Sequence, residues 1–183
     1  MRTQELTAGA KTPAREAARA LLLTAGFAAL STLCALIRLR LPGTEVPFTM
    51  QVYAVLVAGL AGGRMLGPAS QALYLLAGAA GLPVFAAAGP GLHGPTCGYL
   101  VGFVAGAALA GHLAGRGRAG LGRLLAAALS GVAVIYLLGW LNLMAWGLGP
   151  GTAFRAGVLP FIPVDAAKAF LAAATAKTLR KWC

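Results

Sequence analysis

The sequence predicts an all-α, polytopic membrane protein of six transmembrane helices, with both termini in the cytoplasm and a loop-covered ligand pocket near the outer face. Two observations lead to this fold class. Of the 183 residues, 59% are hydrophobic and only 10% are charged, which is outside the usual range of soluble globular domains. The 15 Lys and Arg residues lie mostly between long apolar runs, as expected for the flanks of membrane spans.

The charged residues and the cysteines exclude several classes of function. A net charge of +11 would suggest nucleic-acid binding in a soluble chain, but that requires one continuous basic face or tail, which this sequence lacks. Only 4 residues are acidic, too few for chemistry that depends on paired carboxylates. The 3 cysteines form no CxxC motif, so we expect neither a zinc site nor a disulfide framework.

Six apolar segments qualify as spans, because short spans are possible where their ends are buried against neighbours. They are 20–37, 52–63, 68–81, 95–114, 124–146 and 163–179. The first has spanning length and no cleavage site followed by a polar chain, so it is a span and not a signal peptide. The short second and third segments have the alternative of forming one bent hairpin. The expected organisation is a cytoplasmic basic segment, 1–19, and a six-helix substrate-binding domain, 20–183.

The distribution of Lys and Arg predicts which side of the membrane each loop occupies. Basic residues near span ends favour the cytoplasm. With both termini inside, the cytoplasmic segments contain Arg2, Lys11, Arg15, Arg19, Arg64, Arg116, Arg118, Arg123, Lys177, Arg180 and Lys181. The outer loops contain only Arg38, Arg40 and Arg155. An even number of spans with cytoplasmic termini fits this asymmetry.

Small residues at four-residue spacing indicate close helix packing, which holds helices together in lipid. The glycines concerned are Gly59, Gly63 and Gly67 in one series and Gly98, Gly102 and Gly106 in another. Packing within the chain is the favoured explanation, and a seam between two copies is the alternative. Ala25 and Ala29 repeat the spacing more weakly in the first span.

The first group of polar candidates lies before the second span, in the segment 47–51 (PFTMQ). Pro47 has no backbone donor and favours an extended residue before it, which indicates irregular backbone at the outer mouth of this span. Thr49 and Gln51 then offer a hydroxyl and a carboxamide. Both are candidate ligand contacts, and helix capping is the alternative role for Thr49.

The second group lies in the loop that follows the third span. No charged residue occurs between Gly81 and Pro95, which is more typical of a lid over a cavity than of a solvated connector. Pro95 is expected to begin the fourth span. Thr96 and Tyr99 would then direct hydroxyl groups into the cavity.

The third group, in the segment 161–168 (FIPVDAAK), carries the most information. Asp165 is expected in the first turn of the last span, where the helix dipole favours a carboxylate, and Lys168 follows on the same face. Ionisable residues within a span are costly unless they are paired or face a polar cavity. A purely structural ion pair is the alternative to a ligand site. Asn142, near the outer end of the fifth span, is a further candidate for lining the pocket.

These groups suit a small-molecule site better than a catalytic one. An apolar pocket with one carboxylate, one ammonium group, amides and hydroxyls is the usual design of a binding site. Ser31, Ser70 and Ser130 are scattered and neither histidine is well placed, so no serine–histidine nucleophile is expected. The sequence contains no GxxxxGK[ST] motif, so active transport would require energy from another subunit.

Four segments, in this order along the chain, resemble the BioY family, the biotin-specific S components of energy-coupling factor (ECF) transporters. They are 47–51 (PFTMQ), 74–85 (YLLAGAAGLPVF), 94–103 (GPTCGYLVGF) and 161–168 (FIPVDAAK). The resemblance covers nearly the whole chain from the first span to the last. Cys97 departs from the family pattern, which typically has glycine at this position in GPTGGY.

The resemblance implies a multi-pass protein of the cytoplasmic membrane that captures biotin from outside as its substrate, with no cofactor. Family members work with a transmembrane coupling subunit and two ATPase subunits or, in some cases, without them. Asp165 would accept from the ureido group of biotin, and Lys168 would bind its carboxylate or its ureido carbonyl. The remaining implied contacts are Thr49, Gln51, Gly94, Thr96 and Tyr99 for hydrogen bonds, Phe48, Leu82 and Phe85 for the apolar body, and Ala25 and Ala29 for the coupling subunit.

Two other functions stay open. The same pocket would suit an S component or carrier for a different small vitamin. A membrane enzyme acting on a lipid or a peptide is less favoured because the sequence lacks an evident nucleophile and base. Self-association is also left open by the sequence.

Overall fold

A computed structural model describes residues 13–39, 46–86, 92 and 94–180. In chain order its elements are α1 (Pro13–Leu36), β1 (Arg38–Leu39), β2 (Phe48–Thr49), α2 (Gln51–Ala79), α3 (Cys97–Ala114), α4 (Leu121–Ala145), α5 (Pro150–Gly157) and α6 (Ile162–Leu179). A 3-10 turn, Leu159–Phe161, joins α5 to α6. The segment 1–19 is described only from Pro13 onward, and residues 87–91 and 93 of the predicted lid lie outside the described part.

The protein is mostly helical, as predicted, with one small departure from the all-α expectation. Strands β1 and β2 pair antiparallel, with Arg38 opposite Thr49 and Leu39 opposite Phe48. The pairing gives backbone partners to the segment that precedes α2, where Pro47 prevents a helix from starting earlier. It thereby fixes the position of Thr49 at the end of the helical bundle.

Five helical segments of the described chain are long and apolar enough to cross a membrane. They are Pro13–Leu36, Gln51–Ala79, Cys97–Ala114, Leu121–Ala145 and Pro150–Leu179. Large apolar side chains point outward from them, including Leu22, which is 74% exposed. A multi-pass membrane protein requires such a surface, because lipid tails solvate apolar side chains as well as a protein core does.

The predicted second and third spans, 52–63 and 68–81, correspond to the two helical arms of α2, which is interrupted at Gly63. The backbone leaves helical geometry at Gly63, where φ is 71° and ψ is −167°. A Cβ atom on Gly67 would lie 2.7 Å from the Cα atom of Gly59, although residues eight apart in a straight helix are about 12 Å apart. The chain therefore folds back at Gly63, as the bent-hairpin alternative predicted, and only glycine adopts this φ without strain.

Neighbouring helices of the same chain pack into the grooves that the two glycine series form. A Cβ atom on Gly59 would lie 2.6 Å from the carbonyl oxygen of Ala107 in α3, and one on Gly106 would lie 2.9 Å from the carbonyl oxygen of Gly131 in α4. Helix α3 thus packs between α2 and α4 at backbone contact distance. Helix α6 packs against α2 and α4 and completes the bundle, while α1 packs on α2.

The two ends of the bundle differ in chemistry. We call the end at which Gly63 breaks α2 the turn end, and the opposite end, where α2, α3 and α6 begin, the pocket end. Helix α1 begins and α6 ends at the turn end, because Arg15 and Leu179 line one groove beside Gly62. The described basic residues at the turn end are Arg15, Arg19, Arg64, Arg116, Arg118, Arg123, Lys177 and Arg180, whereas Arg38 and Arg155 lie at the pocket end.

Candidate functional site

Five parts of the chain meet in a pocket at the pocket end of the bundle. They are the segment around β2 with the start of α2, the loop after α2, the first half of α3, the middle of α4, and the start of α6. The residues that line the pocket are Val46, Pro47, Thr49, Gln51, Val52, Phe85, Ala86, Thr96, Tyr99, Leu100, Phe103, Ile135, Tyr136, Phe161, Asp165 and Lys168. Most of these side chains are apolar, with a few polar groups converging among them.

Asp165 and Lys168 form a buried ion pair in the first two turns of α6. Lys168 Nζ lies 2.7 Å from Asp165 Oδ1, and the two residues are only 2% and 3% exposed. Their spacing of three residues places both on one helix face. Pro163 lies in the first turn of α6, a position that favours helix initiation, and the face with Asp165 and Lys168 is buried. Asp165 and Lys168 lie on one face of the last span, as expected from the sequence, and the contact between them is the ion pair that the sequence analysis names as the alternative to a ligand site.

Each member of the pair has a further partner from another element. Tyr136 Oη in α4 donates to Asp165 Oδ2 at 2.7 Å, and Lys168 Nζ donates to the carbonyl oxygen of Thr49 at 2.6 Å. The ammonium group also lies 4.2 Å from the ring centroid of Phe48, whose ring stacks on that of Phe161. Cation–π contact of this kind stabilises a desolvated ammonium group. The charges of α6 are thus compensated by two other elements of the bundle, α4 and β2.

A chain of hydrogen bonds leads from this pair to the loop after α2. Thr49 Oγ1 donates to Gln51 Oε1 at 3.1 Å, and Gln51 Nε2 donates to Tyr74 Oη at 2.7 Å. Tyr74 Oη in turn donates to the carbonyl oxygen of Val84 at 3.0 Å. Because α2 folds back at Gly63, Gln51 and Tyr74 come together although 23 positions separate them. Thr49 lies one residue before the N-cap of α2, which is Met50.

The loop after α2 covers the pocket from one side. Phe85 packs edge to face on Tyr74 with ring centroids 5.4 Å apart, and both Phe85 and Ala86 line the pocket. Arg38 Nη1 donates to the carbonyl oxygen of Ala86, which ties the loop to β1. Leu82 is 57% exposed and lies outside the pocket lining, contrary to its expected place over the ligand.

The space inside the pocket is small in this structure. It measures about 60 Å³, below the roughly 300–1,000 Å³ of typical small-molecule pockets. The side chains around Asp165 and Lys168 are therefore closed on one another. A ligand larger than a few water molecules needs more space than this arrangement offers.

The start of α3 contributes two of the predicted contacts, in a different way from that expected. The helix begins at Cys97, with Thr96 as its N-cap, and not at Pro95. Thr96 lines the pocket and its side chain makes no capping hydrogen bond. The ring of Tyr99 lines the pocket, but its hydroxyl donates to the carbonyl oxygen of Gly157 at 2.8 Å, so that group braces the connection between α5 and α6.

Gly94 and Asn142 lie outside the pocket lining. Asn142 Nδ2 donates to the carbonyl oxygen of Pro95 at 2.8 Å and reaches that of Gly94 at 3.4 Å. Asn142 therefore holds the turn that precedes α3. Its predicted role as a lining residue has no support in this geometry.

The structure thus brings together seven of the predicted ligand contacts around one pocket and leaves others beside it. The seven are Thr49, Gln51, Phe85, Thr96, Tyr99, Asp165 and Lys168. Phe48 acts through its contact with the Lys168 ammonium group. Ala25 and Ala29 lie on an exposed face of α1, far along the chain from any lining residue.

Sequence reasoning missed Tyr136, which holds the second carboxylate oxygen of Asp165. The signal was present: a buried carboxylate needs donors from neighbouring elements, and Tyr136 is the hydroxyl-bearing residue nearest the middle of an apolar span. The other missed lining residues are Val46, Pro47, Val52, Ala86, Leu100, Phe103, Ile135 and Phe161. Pro47, Leu100, Phe103 and Phe161 lie in the segments that carry the family resemblance, whereas the other four resemble ordinary apolar residues of the chain.

The described site has the chemistry of a binding pocket. Its polar groups are one carboxylate, one ammonium group, an amide and hydroxyls, set in apolar walls. Of the serines, Ser31 and Ser70 bond to Gln71 in a separate buried network, and Ser130 bonds to the carbonyl oxygen of Ala126. In the described part of the chain, therefore, no serine lies beside a base in this pocket.

The chain is similar to proteins of one family over nearly its whole length. The BioY family model matches residues 3–183. A probable biotin transporter BioY from Pyrococcus horikoshii is 40% identical over 161 residues, which cover 86% of this chain and 94% of that protein. A biotin transporter BioY from Thermotoga maritima is 38% identical over 146 residues, which cover 78% and 86% respectively.

A solved structure shares the fold. The crystal structure of the S-component for biotin from an ECF-type ABC transporter matches with a TM-score of 0.81, at 23% sequence identity. The match covers 94% of this chain and 95% of that one. The likeness concerns the fold and includes the whole helical bundle around the pocket.

The buried ion pair makes a clear prediction about stability. Lys168→Met leaves the Asp165 carboxylate buried without its cation, which should cost about 3–5 kcal/mol of folding free energy. The double variant Asp165→Asn with Lys168→Met removes both charges and should recover a large part of that loss. Thermal unfolding in detergent measures both, with Lys177→Met on the exposed side of α6 as the matched control. A single variant as stable as the double one would contradict the proposed pairing.

Proposed function

The chain belongs to the BioY family, and from this premise we propose that it takes up biotin across the cytoplasmic membrane as the substrate-capture subunit of an ECF-type transporter. Two supports are independent of each other. The family relatives reported above are biotin transporters by name, and the pocket has one acceptor group and one donor group of opposite charge side by side. The protein is accordingly a transport component and not an enzyme, and biotin is its substrate and not a cofactor.

The buried pair of Asp165 and Lys168 beside the pocket is the observation that carries this proposal. A carboxylate offers about four lone-pair sites and an ammonium group three donors. Asp165 uses two sites, on Lys168 and Tyr136, and Lys168 uses two donors, on Asp165 and Thr49. Both groups therefore keep capacity for a ligand without losing their present partners. A ureido ring, with two N–H donors and one carbonyl acceptor, matches that remaining capacity.

The other lining groups suit the remainder of biotin. The rings of Phe85, Tyr99 and Phe161 would enclose the thiophane ring and the aliphatic tail, since burial of apolar surface supplies most of the affinity in such pockets. The hydroxyl of Thr96 is available for a polar group of the ligand. Lys168 would bind one of two groups of biotin, the ureido carbonyl or the terminal carboxylate.

Entry of biotin requires the closed pocket to open. We propose that the loop after α2 is the lid, because Phe85 and Ala86 line the pocket on the side that this loop covers. Among the described residues, the hydrogen bonds of Arg38 to Ala86 and of Tyr74 to Val84 tie the loop to the bundle. Breaking them exposes the space around Asp165, and the hydrogen-bond chain through Gln51 would re-form as the lid closes.

A second candidate is capture of another small vitamin. The closed pocket, of about 60 Å³, does not define the shape of the open pocket. A vitamin with a different ring system could therefore bind to the same pair, Asp165 and Lys168. Calorimetry with a panel of vitamins distinguishes the two candidates. Saturable binding of a vitamin other than biotin, with no heat from biotin, would favour the second.

We further propose six membrane crossings with both termini in the cytoplasm. The crossings are α1, the two arms of α2, α3, α4 and α6. The arms are short, about 18 Å and 24 Å at 1.5 Å per residue, so their ends must be buried against neighbours. Support for the orientation comes from the excess of Lys and Arg at the turn end, where α1 begins and α6 ends.

Reporter fusions test the topology. A reporter that is active only in the cytoplasm should be active when fused to either terminus, because α1 begins and α6 ends at the basic turn end. The same reporter inserted after Gly149, between α4 and α5, serves as the inverse control and should be inactive. Activity at one terminus alone would contradict an even number of crossings.

Biotin binding tests the site directly. Asp165→Asn keeps the shape of the side chain but loses the charge-assisted acceptor, so binding should weaken by about 1–3 kcal/mol, or roughly 5- to 150-fold in Kd. Titration calorimetry of purified protein measures this, with Lys177→Met as a charge-matched control for Lys168→Met. Each variant is compared at a temperature at which its unfolding curve shows a folded protein. Unchanged affinity in both Asp165→Asn and Lys168→Met would remove the proposed site.

The coupling partner is proposed to dock on α1. Ala25 and Ala29 lie on an exposed face of a helix that packs mainly on α2, and small residues allow a second helix to approach closely. Ala25→Leu with Ala29→Leu should abolish co-purification with the coupling subunit while leaving biotin affinity intact. Ala133→Leu on the exposed face of α4 is the matched control. Intact co-purification and transport in the double variant would place the docking face elsewhere.

A further inference from the structure

A second, chemically different cavity lies at the turn end of the bundle, opposite the biotin pocket. We call it the basic pocket. It has a volume of about 540 Å³ and is lined by Arg64, His112, Arg116 and Arg180 together with the backbone of the α2 turn and of the α3–α4 connection. Nothing in the proposed capture of biotin uses it.

The floor of the basic pocket is a fixed structure. Arg180, at the end of α6, donates to the carbonyl oxygens of Leu60 at 2.8 Å, of Gly115 at 2.7 Å and of Gly117 at 2.7 Å. One guanidinium group thus joins α6, the first arm of α2 and the end of α3. These carbonyl groups belong to backbone that the turn of α2 and the α3–α4 connection leave outside regular helix.

Arg64 and Arg116 line the basic pocket at its rim and differ from Arg180 in exposure and in hydrogen bonding. Both are exposed, and neither has a hydrogen bond or an ion pair with any described residue. The two carboxylates of the described chain are Glu16, which lines the neighbouring groove, and Asp165, which lies at the pocket end. Among the described residues, therefore, no carboxylate lines the basic pocket beside Arg64 and Arg116.

An apolar groove adjoins the basic pocket and shares the lining residues Ala61 and Gly62 with it. Its volume is about 730 Å³, and its walls are formed mainly by Leu23, Phe27, Leu66 and Leu179, with Arg15 and Arg19 at the end nearest the basic pocket. From Arg15 to Phe27 the groove follows α1 for about 18 Å. It thus runs from the basic end of the bundle towards the middle of the membrane.

We propose that these two cavities together bind one anionic phospholipid, with its phosphate group in the basic pocket and an acyl chain in the apolar groove. Basic recesses between helices at the membrane surface suit lipid phosphate groups, because Arg64 and Arg116 gain an anion that no described residue supplies. An acidic segment of a protein partner would account for the arginines. It would leave unexplained an apolar channel that leads from them into the bilayer.

The test is native mass spectrometry of the purified full chain in detergent, titrated with phosphatidylglycerol, with phosphatidylcholine or with inorganic phosphate. Phosphatidylglycerol should bind one molecule per chain and raise the thermal unfolding midpoint, whereas phosphatidylcholine and inorganic phosphate should do neither at the same concentration. Arg64→Gln with Arg116→Gln should weaken phosphatidylglycerol binding by about 30-fold at low salt. Leu23→Trp, which fills the groove, should also weaken it.

The matched control removes the same charge outside the cavity. Arg118→Gln with Arg155→Gln leaves the basic pocket intact and should retain most of the binding. Equal losses in the two double variants would mean a general attraction to a basic surface and would overturn the proposal. Equal protection by inorganic phosphate, or binding insensitive to Leu23→Trp, would overturn the lipid assignment. So would loss of a coupling subunit in the Arg64 and Arg116 variant with phosphatidylglycerol binding unchanged.

Discussion

The structure depends on one constraint: a carboxylate and an ammonium group are held inside a bundle surrounded by hydrocarbon. Such charges persist only if they are paired and hydrogen-bonded. Asp165 and Lys168 meet this condition through each other, through Tyr136 in α4, and through the backbone of Thr49. Their contacts with separate elements hold α4, α6 and the segment before α2 in one relative position, and the pocket is the space that this arrangement leaves.

Irregular backbone is confined to places where the bundle can satisfy it. The turn at Gly63 leaves carbonyl groups without helical partners, which would be costly in lipid. At the turn end, Arg180 donates hydrogen bonds to the carbonyl oxygen of Leu60 and to the α3–α4 connection. At the pocket end the short strands β1 and β2 supply each other's partners. The folded-back α2 then brings Gln51 beside Tyr74, which links the charged pair to the covering loop.

The two ends of the molecule consequently have separate chemistry. At the pocket end, opposite charges are paired and dry, so they can recognise a small neutral polar ring together with apolar atoms. At the turn end, Arg64 and Arg116 are exposed and make no ion pair with a described residue, which suits an anion at the membrane surface. The glycine contacts between α2, α3 and α4 lie between these ends and bring the backbones together without large side chains.

The sequence by itself determined the helical membrane fold, the buried Asp165–Lys168 pair and the segments that meet around it, because hydropathy, basic flanks and proline positions act locally along the chain. Only the tertiary structure decided which groups complete the pair. Tyr136 is 29 positions from Asp165. Thr49 accepts from Lys168 through its backbone oxygen, and a pattern of side chains does not predict a backbone contact. The roles of Asn142 and of the Tyr99 hydroxyl were likewise decided by their neighbours in space, because a polar group in a membrane bonds to the nearest unsatisfied partner. The fold of α2 followed from one glycine whose φ is available only to that residue.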